Sequence, residues 1–236
     1  MKAVGLALED LEKEFIGLSS YPEEELEKII KEVGFKCTMC GKCCTKEFND
    51  HVFLLQKDLR LIKEKNQEAI VPAPYFEICD QNGIFYVSGY ALRCKENGDC
   101  IFLKDNRCTR YDLRFSICRI YPYMLHRETD ENGKTDWRQI SGLNQHGEYN
   151  DEISGEECKT IAKETIEYEK EFLLQELNFL KILKEHFLEN NLKPLRKVYD
   201  EKMRDFQKGK KIRVMVFNGE DFEKCEIKKE DYFMKF

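Results

Sequence analysis

Four of the eleven cysteines stand in one eight-residue stretch, Cys37-Thr38-Met39-Cys40-Gly41-Lys42-Cys43-Cys44, at the spacing C-x2-C-x2-C-C. Scattered cysteines would suit ordinary buried thiols, but a run this dense does not. Thiolates two residues apart can hold one metal ion or one face of an iron–sulfur cluster. The stretch is therefore expected to be a loop shaped by a metal. Gly41 has no Cβ where the backbone turns tightly, and its position allows an amide N–H to point at sulfur. A second set follows downstream, at Cys100, Cys108 and Cys118, with Cys94 close by.

A chain of 236 residues can form one large or two small domains, and an apolar fraction of 42% is enough for a core. The net charge of −6 does not suit a strongly basic nucleic-acid binder. The apolar run near the N-terminus is too short for a secretory signal, and no stretch approaches the ~20 apolar residues of a membrane span. The expectation is a soluble, cytoplasmic protein that meets no membrane and no nucleic acid, with an unnamed protein or redox partner. A reducing cytosol disfavours structural disulfides and favours metal or redox roles for thiols. An odd count of eleven leaves at least one cysteine unpaired in any case.

Apolar residues Leu8, Leu11, Phe15 and Leu18 recur at helical steps. Ser19-Ser20-Tyr21-Pro22 breaks that helix. Pro22 suits a first helical position, Glu23, Glu24 and Glu25 suit the positive end of a helix dipole, and Gly34 suits a C-terminal stop. Past the cysteine run, Val52 to Leu55 reads as a short strand and Lys57 to Lys65 as a helix with Leu59 and Ile62 inward. Two hairpins are expected, one around Asn82-Gly83 and one around Asn132-Gly133. Glu156 to Asn190 reads as a long helix whose broad apolar face includes Ile166, Leu173, Leu177, Leu180 and Phe187. A second helix is expected over Leu195 to Phe206, and a strand over Lys211 to Phe217, followed by a turn at Asn218-Gly219.

Adjacent cysteines constrain the ligand arrangement. In extended backbone, Cys43 and Cys44 would point to opposite faces. Cys44 would then serve a second centre, or the two would bridge a multinuclear one. Cys37, Cys40 and Cys43 match the C-x2-C-x2-C part of a bacterial ferredoxin, whose fourth ligand is remote and closely followed by proline. Cys118 is remote, and Pro122 follows it. Zinc competes, because four thiolates satisfy it without histidine and sulfur ligation alone does not separate it from iron–sulfur. Basic residues crowd the cysteines in sequence, at Lys36, Lys42, Arg107, Arg110, Arg114 and Arg119. Positive neighbours stabilise thiolates, and Arg119, next to Cys118, is expected to support the site.

CTMCGKCC followed by GDCIFLKDNRCTRYDLRFSICRIYP resembles the YkgJ-like cysteine-cluster family. That family is described as a zinc- or iron-chelating domain or an Fe–S cluster-containing protein. The residues that carry the resemblance are Cys37, Cys40, Cys43 and Cys44, then Cys100, Phe102 and Leu103, then Cys108, Tyr111, Arg114, Cys118, Arg119, Tyr121 and Pro122. Cys158 stands about where many members carry one more cysteine. Phe115 replaces the family's usual proline, and Lys159-Thr160 replaces Pro-Gly after Cys158. The resemblance covers residues 35–160 and implies metal binding. Flagellin lysine methylases carry a similar cysteine signature, which opens an enzyme reading.

His51, His126, His146 and His186 are scattered, and His126 is the one weak ligand candidate among them. Trp137 is expected to pack in its hairpin, and Cys79 and Cys225 to sit in strands as small buried thiols. No phosphate-binding or nucleophile-elbow motif is present, and no catalytic residue can be named. The expected fold is α+β: N-terminal helices over residues 1–34, a loop-rich cysteine module with short helices and hairpins over 35–160, and a helical segment with terminal strands over 161–236, packed through the long C-terminal helix. The expected metal ligands are Cys37, Cys40, Cys43, Cys44, Cys100, Cys108, Cys118 and Cys158, with Cys94 in reserve, enough sulfur for two four-ligand centres. Three functions fit: an iron–sulfur protein for electron transfer or maturation, a zinc-stabilised interaction module, and a cluster-dependent modifying enzyme like the methylases.

Overall fold

In the computed structural model of the chain, residues 2–48, 51–63, 65–124, 126–129, 135–136 and 144–234 are described. The described helices are α1 (Lys2–Ser19), α2 (Glu23–Val33), α3 (Gln56–Lys63), α4 (Ser116–Ile120), α5 (Gly155–Glu189) and α6 (Arg196–Gln207). With several small sheets they make an α+β protein. Chain contacts divide it into two compact units. One comprises residues 1–11, 51–101 and 175–236, and the other residues 12–50 and 102–174.

The first unit is built on a four-stranded sheet of β3 (Ile78–Cys79), β4 (Ile84–Val87), β11 (Ile212–Phe217) and β12 (Phe222–Ile227), in the order β12-β11-β4-β3. The Asn82-Gly83 signal forms its turn, and Ile78 faces Tyr86 across the hairpin. Gly83 takes a positive φ of 75° there. Asp80, fully buried, accepts hydrogen bonds from the Asn82 and Ile84 N–H groups at 2.8 and 3.0 Å and from the Tyr86 hydroxyl at 3.2 Å. β4 pairs in parallel with β11, Phe85 beside Val214, a contact that no local pattern announces. Helices cover both faces of the sheet. Phe85 meets Tyr199 of α6, while Tyr86 meets Phe187 and Phe217 meets Phe179, both of α5. That explains why the run Phe85-Tyr86-Val87 is buried without alternation.

The same unit holds an antiparallel sheet of β1 (Phe53–Leu54), β5 (Tyr90–Leu92) and β2 (Ile70–Pro72), in that order, and a parallel pair of β6 (Cys94–Lys95) with β13 (Phe233–Met234). Along α5, Leu173, Leu177, Leu180, Leu183 and Phe187 are all buried within the chain itself, as the apolar face requires. Among the described residues, no helix is long and apolar enough to cross a membrane.

The second unit contains α2, α4, the hairpin β7 (Leu103–Lys104) and β8 (Arg107–Cys108), and the pair β9 (His126–Thr129) and β10 (Thr135–Asp136). The Asn132-Gly133 turn and Trp137 lie outside the described residues. Pro22 is the N-cap of α2 and not its first residue, with a ψ of 120° outside the helical range. Gly34 closes the helix in the left-handed conformation, its N–H on the Ile30 carbonyl.

Candidate metal centre

The cysteine run enters from α2 as irregular backbone and then makes a 3-10 turn over Lys42–Cys44. Met39 and Gly41 both take positive φ, 54° and 72°. Between them they fold the loop back, so that the Met39 N–H points at Cys37 Sγ at 3.4 Å. A Cβ on Gly41 would stand 2.5 Å from the Asn106 carbonyl oxygen and 2.7 Å from Leu103 Cδ1. The loop is therefore seated against the β7–β8 hairpin. That hairpin turns through Asp105 and Asn106, which hold φ of 49° and 60°, the left-handed pair that a two-residue turn needs.

The 3-10 turn corrects one expectation. Cys43 and Cys44 do not diverge as they would in a strand, because successive side chains in such a turn are about 120° apart. Hydrogen bonding from Cys44 reaches both Cys43 and Cys108, and lowers the thiol pKa of each. For Cys108 the drop is to about 6, helped by the Arg110 backbone N–H and by the guanidiniums of Arg114 and Arg110 against the opposing effect of burial. Cys43, Cys44 and Cys108 thus form one sulfur group. Cys37 joins its edge through Tyr111, whose hydroxyl bonds to Cys37 and also feels Cys43.

Two guanidiniums serve these sulfurs. Arg114 lies 4.4 Å over the Tyr111 ring and acts on Cys43 and Cys108. Arg110 is held over the Phe102 ring at 5.2 Å, and its Nε is buried with no hydrogen-bond partner among the described residues. Lys36 pairs with Asp151 at 2.9 Å, and Arg107 and Arg119 are exposed. Arg114, four residues before Cys118, reaches the Cys118 carbonyl with its Nη1 at 3.5 Å.

Cys40 has a partner that sequence reasoning missed. His146 Nδ1 lies 3.9 Å from Cys40 Sγ, and its Nε2 is 2.6 Å from the Tyr121 hydroxyl. Backbone pairing puts it there. Lys36 and Glu148 exchange hydrogen bonds at 2.8 and 3.0 Å, and Asp151 N–H bonds to the Gly34 carbonyl. Phe48 packs edge-on against the imidazole and Tyr121 stacks on it. Burial and the nearby Lys42 charge hold the ring's pKa down, which keeps a nitrogen lone pair available. No spacing rule links His146 to the cysteine run, so only the pairing of residues 144–151 with 33–36 reveals it.

Cys118 sits half-buried on α4. Cys158 is only 2% exposed in the first turn of α5, and burial raises its thiol pKa. The charges that act on it are Lys31, Glu157 and Glu27, with no sulfur among them. Cys94 and Cys100 belong to the first unit, where they face each other in an isolated antiparallel bridge. Cys79 and Cys225 lie in β3 and β12, as expected. The side chain of His126 lies outside the described residues. Among the described residues, no three His, Cys, Asp or Glu side chains are placed as a coordination shell, the Cys43–Cys44–Cys108 group included.

The pKa pattern predicts a pH profile for the metal-free protein. Because the folded Cys108 value lies below the ordinary thiol range, its thiolate persists down to about pH 6 and protonates below that. Alkylation of Cys108 by iodoacetamide should show a midpoint near pH 6 and flatten by neutrality, where an ordinary thiol would still be climbing towards about pH 8.5. The associated stability is present above the unfolded thiol pKa and is lost as pH falls through about 6. Peptide-resolved alkylation rates check this, and a midpoint near 8.5 would dissolve the proposed sulfur group.

Compared with models of known families, residues 36–159, just over half of the chain, match a family named CxxCxxCC and described as "Putative zinc- or iron-chelating domain". No curated protein and no solved structure matches the chain.

Proposed function

The chain belongs to the CxxCxxCC family of zinc- or iron-chelating domains, and from that premise we propose that it is a cytoplasmic iron–sulfur protein acting in electron transfer or cluster maturation. The observation that carries this reading is the Cys43–Cys44–Cys108 sulfur group, lined by two guanidiniums. Adjacent cysteines sharing one sulfur neighbour suit a multinuclear centre better than a single tetrahedral ion, which would take its four ligands separately. The residues fit such a group. An amide points at sulfur, Gly41 leaves room for the loop to close, and a buried guanidinium N–H beside Cys108 has bonding capacity to spare.

Cys37, Cys40, Cys43, Cys44, Cys108 and Cys118 of the second unit would hold the centre, with Arg110 and Arg114 offsetting thiolate charge. A bound cluster would supply a one-electron couple. The exposure of Cys37 and Cys40 would leave one side of it open to a redox partner.

A second reading, structural zinc, is favoured by His146 beside Cys40, since a Cys3His shell is a common zinc set. Anaerobic purification with iron, zinc and acid-labile sulfide analysis separates the two. Brown protein with iron and sulfide in equal amounts is the expected result. Colourless protein with stoichiometric zinc would overturn the iron–sulfur reading in favour of a zinc-stabilised interaction module.

A further inference from the structure

Cys94 and Cys100 both belong to the first unit. They are partners there in an isolated antiparallel bridge. The next pair inward carries the ladder hydrogen bond, from the Lys95 N–H to the Asp99 carbonyl at 2.7 Å. Alternation along an antiparallel pair then makes Cys94 and Cys100 a non-hydrogen-bonded pair. Such partners have Cα atoms about 4.5 Å apart and side chains on the same face. A disulfide spans Cα separations of about 4.4–6.8 Å, a range that holds the spacing of a non-hydrogen-bonded pair.

The frame around the pair is firm. The turn between them is closed by the Gly98 N–H on the Lys95 carbonyl at 2.8 Å and by Asn97 and Asp99 bonding to each other. β6 is paired along β13, Phe233 beside Cys94. The Cys94 sulfur lies 3.7 Å from His51 Nδ1, and the imidazole is braced edge-on by Tyr232.

We propose that Cys94 and Cys100 are an oxidative modification site, a cross-strand dithiol that closes to a disulfide by exchange with low-molecular-weight disulfides. Exposure sets the order of events. Cys94 is 5% exposed, whereas Cys100 is half-buried and meets the reagent first. Cys100 gives up its proton and bonds to one sulfur of R–S–S–R. That S–S bond breaks, and one R–S⁻ leaves to be protonated. Cys94 then bonds to the Cys100 sulfur, breaks the mixed disulfide and releases the second thiol. The dithiol loses two electrons and two protons, and the reagent gains them as two RSH. The closed loop is short, so crosslinking removes little chain entropy and the bond stays open to reduction by thiols. Cys100 is one of the eight cysteines that the sequence pattern assigns to metal, but not one of the six that would hold the centre of the second unit, so the disulfide does not rest on the metal reading.

The test uses the full chain, freed of metal by chelation and held in glutathione buffers of stepped oxidised-to-reduced ratio. After an acid quench and tryptic digestion, the dipeptide Cys94-Lys95 should be joined to the peptide from Glu96 to Lys104, two hydrogens lighter than their sum. This link should form at ratios at least tenfold lower than any other cysteine pair requires. Cys94→Ser should stall with glutathione on Cys100, while Cys100→Ser should leave Cys94 unmodified. A pair that stays reduced until other cysteines have linked overturns the proposal, as does adduct formation on Cys94 alone. In metal-loaded protein the same link should form with all metal retained, since Cys100 is not among the six cysteines that would hold the centre.

Discussion

Alanine at Gly41 is expected to cost the protein most of its metal affinity. The position holds a φ of 72°, and an added Cβ would press on the Asn106 carbonyl and the Leu103 side chain. Left-handed backbone costs an alanine about 1–2 kcal/mol. The collision with a backbone carbonyl adds to this, because no rotamer change relieves it. A total near 3 kcal/mol corresponds to roughly a hundredfold loss in metal affinity. Competition with a chromophoric chelator measures it directly. Affinity within threefold of wild type would mean that the loop does not rest on the β7–β8 hairpin when metal binds.

Cys43→Ser and Cys108→Ser should each empty the centre. Both thiols belong to the group gathered by Cys44, and a hydroxyl neither ionises near neutrality nor matches a thiolate as a soft-metal ligand. At least a hundredfold loss of affinity is expected, together with protease sensitivity over residues 36–48 and 103–118, since ligation supplies much of the order of such loops. Cys225→Ser, in β12 of the other unit, should keep full metal content under the same purification. Cys158→Ser is the sharper control. Its buried thiol is acted on by Lys31, Glu157 and Glu27, so the expected cost is about 1 kcal/mol of stability with metal retained. Full metal content in both Cys43→Ser and Cys108→Ser would sink the sulfur-group reading.

Much of the secondary structure was legible because its causes are local. Apolar spacing marked α1, α3, α5 and α6, Gly34 marked the end of α2, and Asn82-Gly83 marked the turn between β3 and β4. The parallel pairing of β4 with β11 was not legible. It joins strands far apart in the chain, and its only trace is that both are apolar but for Arg213. The two units are likewise assembled from separate stretches of chain, and no composition shift marks their limits.

At the site the same division holds. The sequence by itself showed the chemistry: a run of cysteines at metal-binding spacing, a glycine where the loop must turn, and arginines close by. Those are properties of residue types and short intervals. The tertiary structure alone decided which sulfurs meet. A 3-10 turn brought Cys43 and Cys44 to the same neighbour, a left-handed turn at Asp105-Asn106 carried Cys108 back to them, and strand-like pairing with residues 33–36 set His146 beside Cys40. Spacing along a chain limits what can reach a point. Which groups arrive there depends on the dihedral angles between them and on hydrogen bonds to distant backbone.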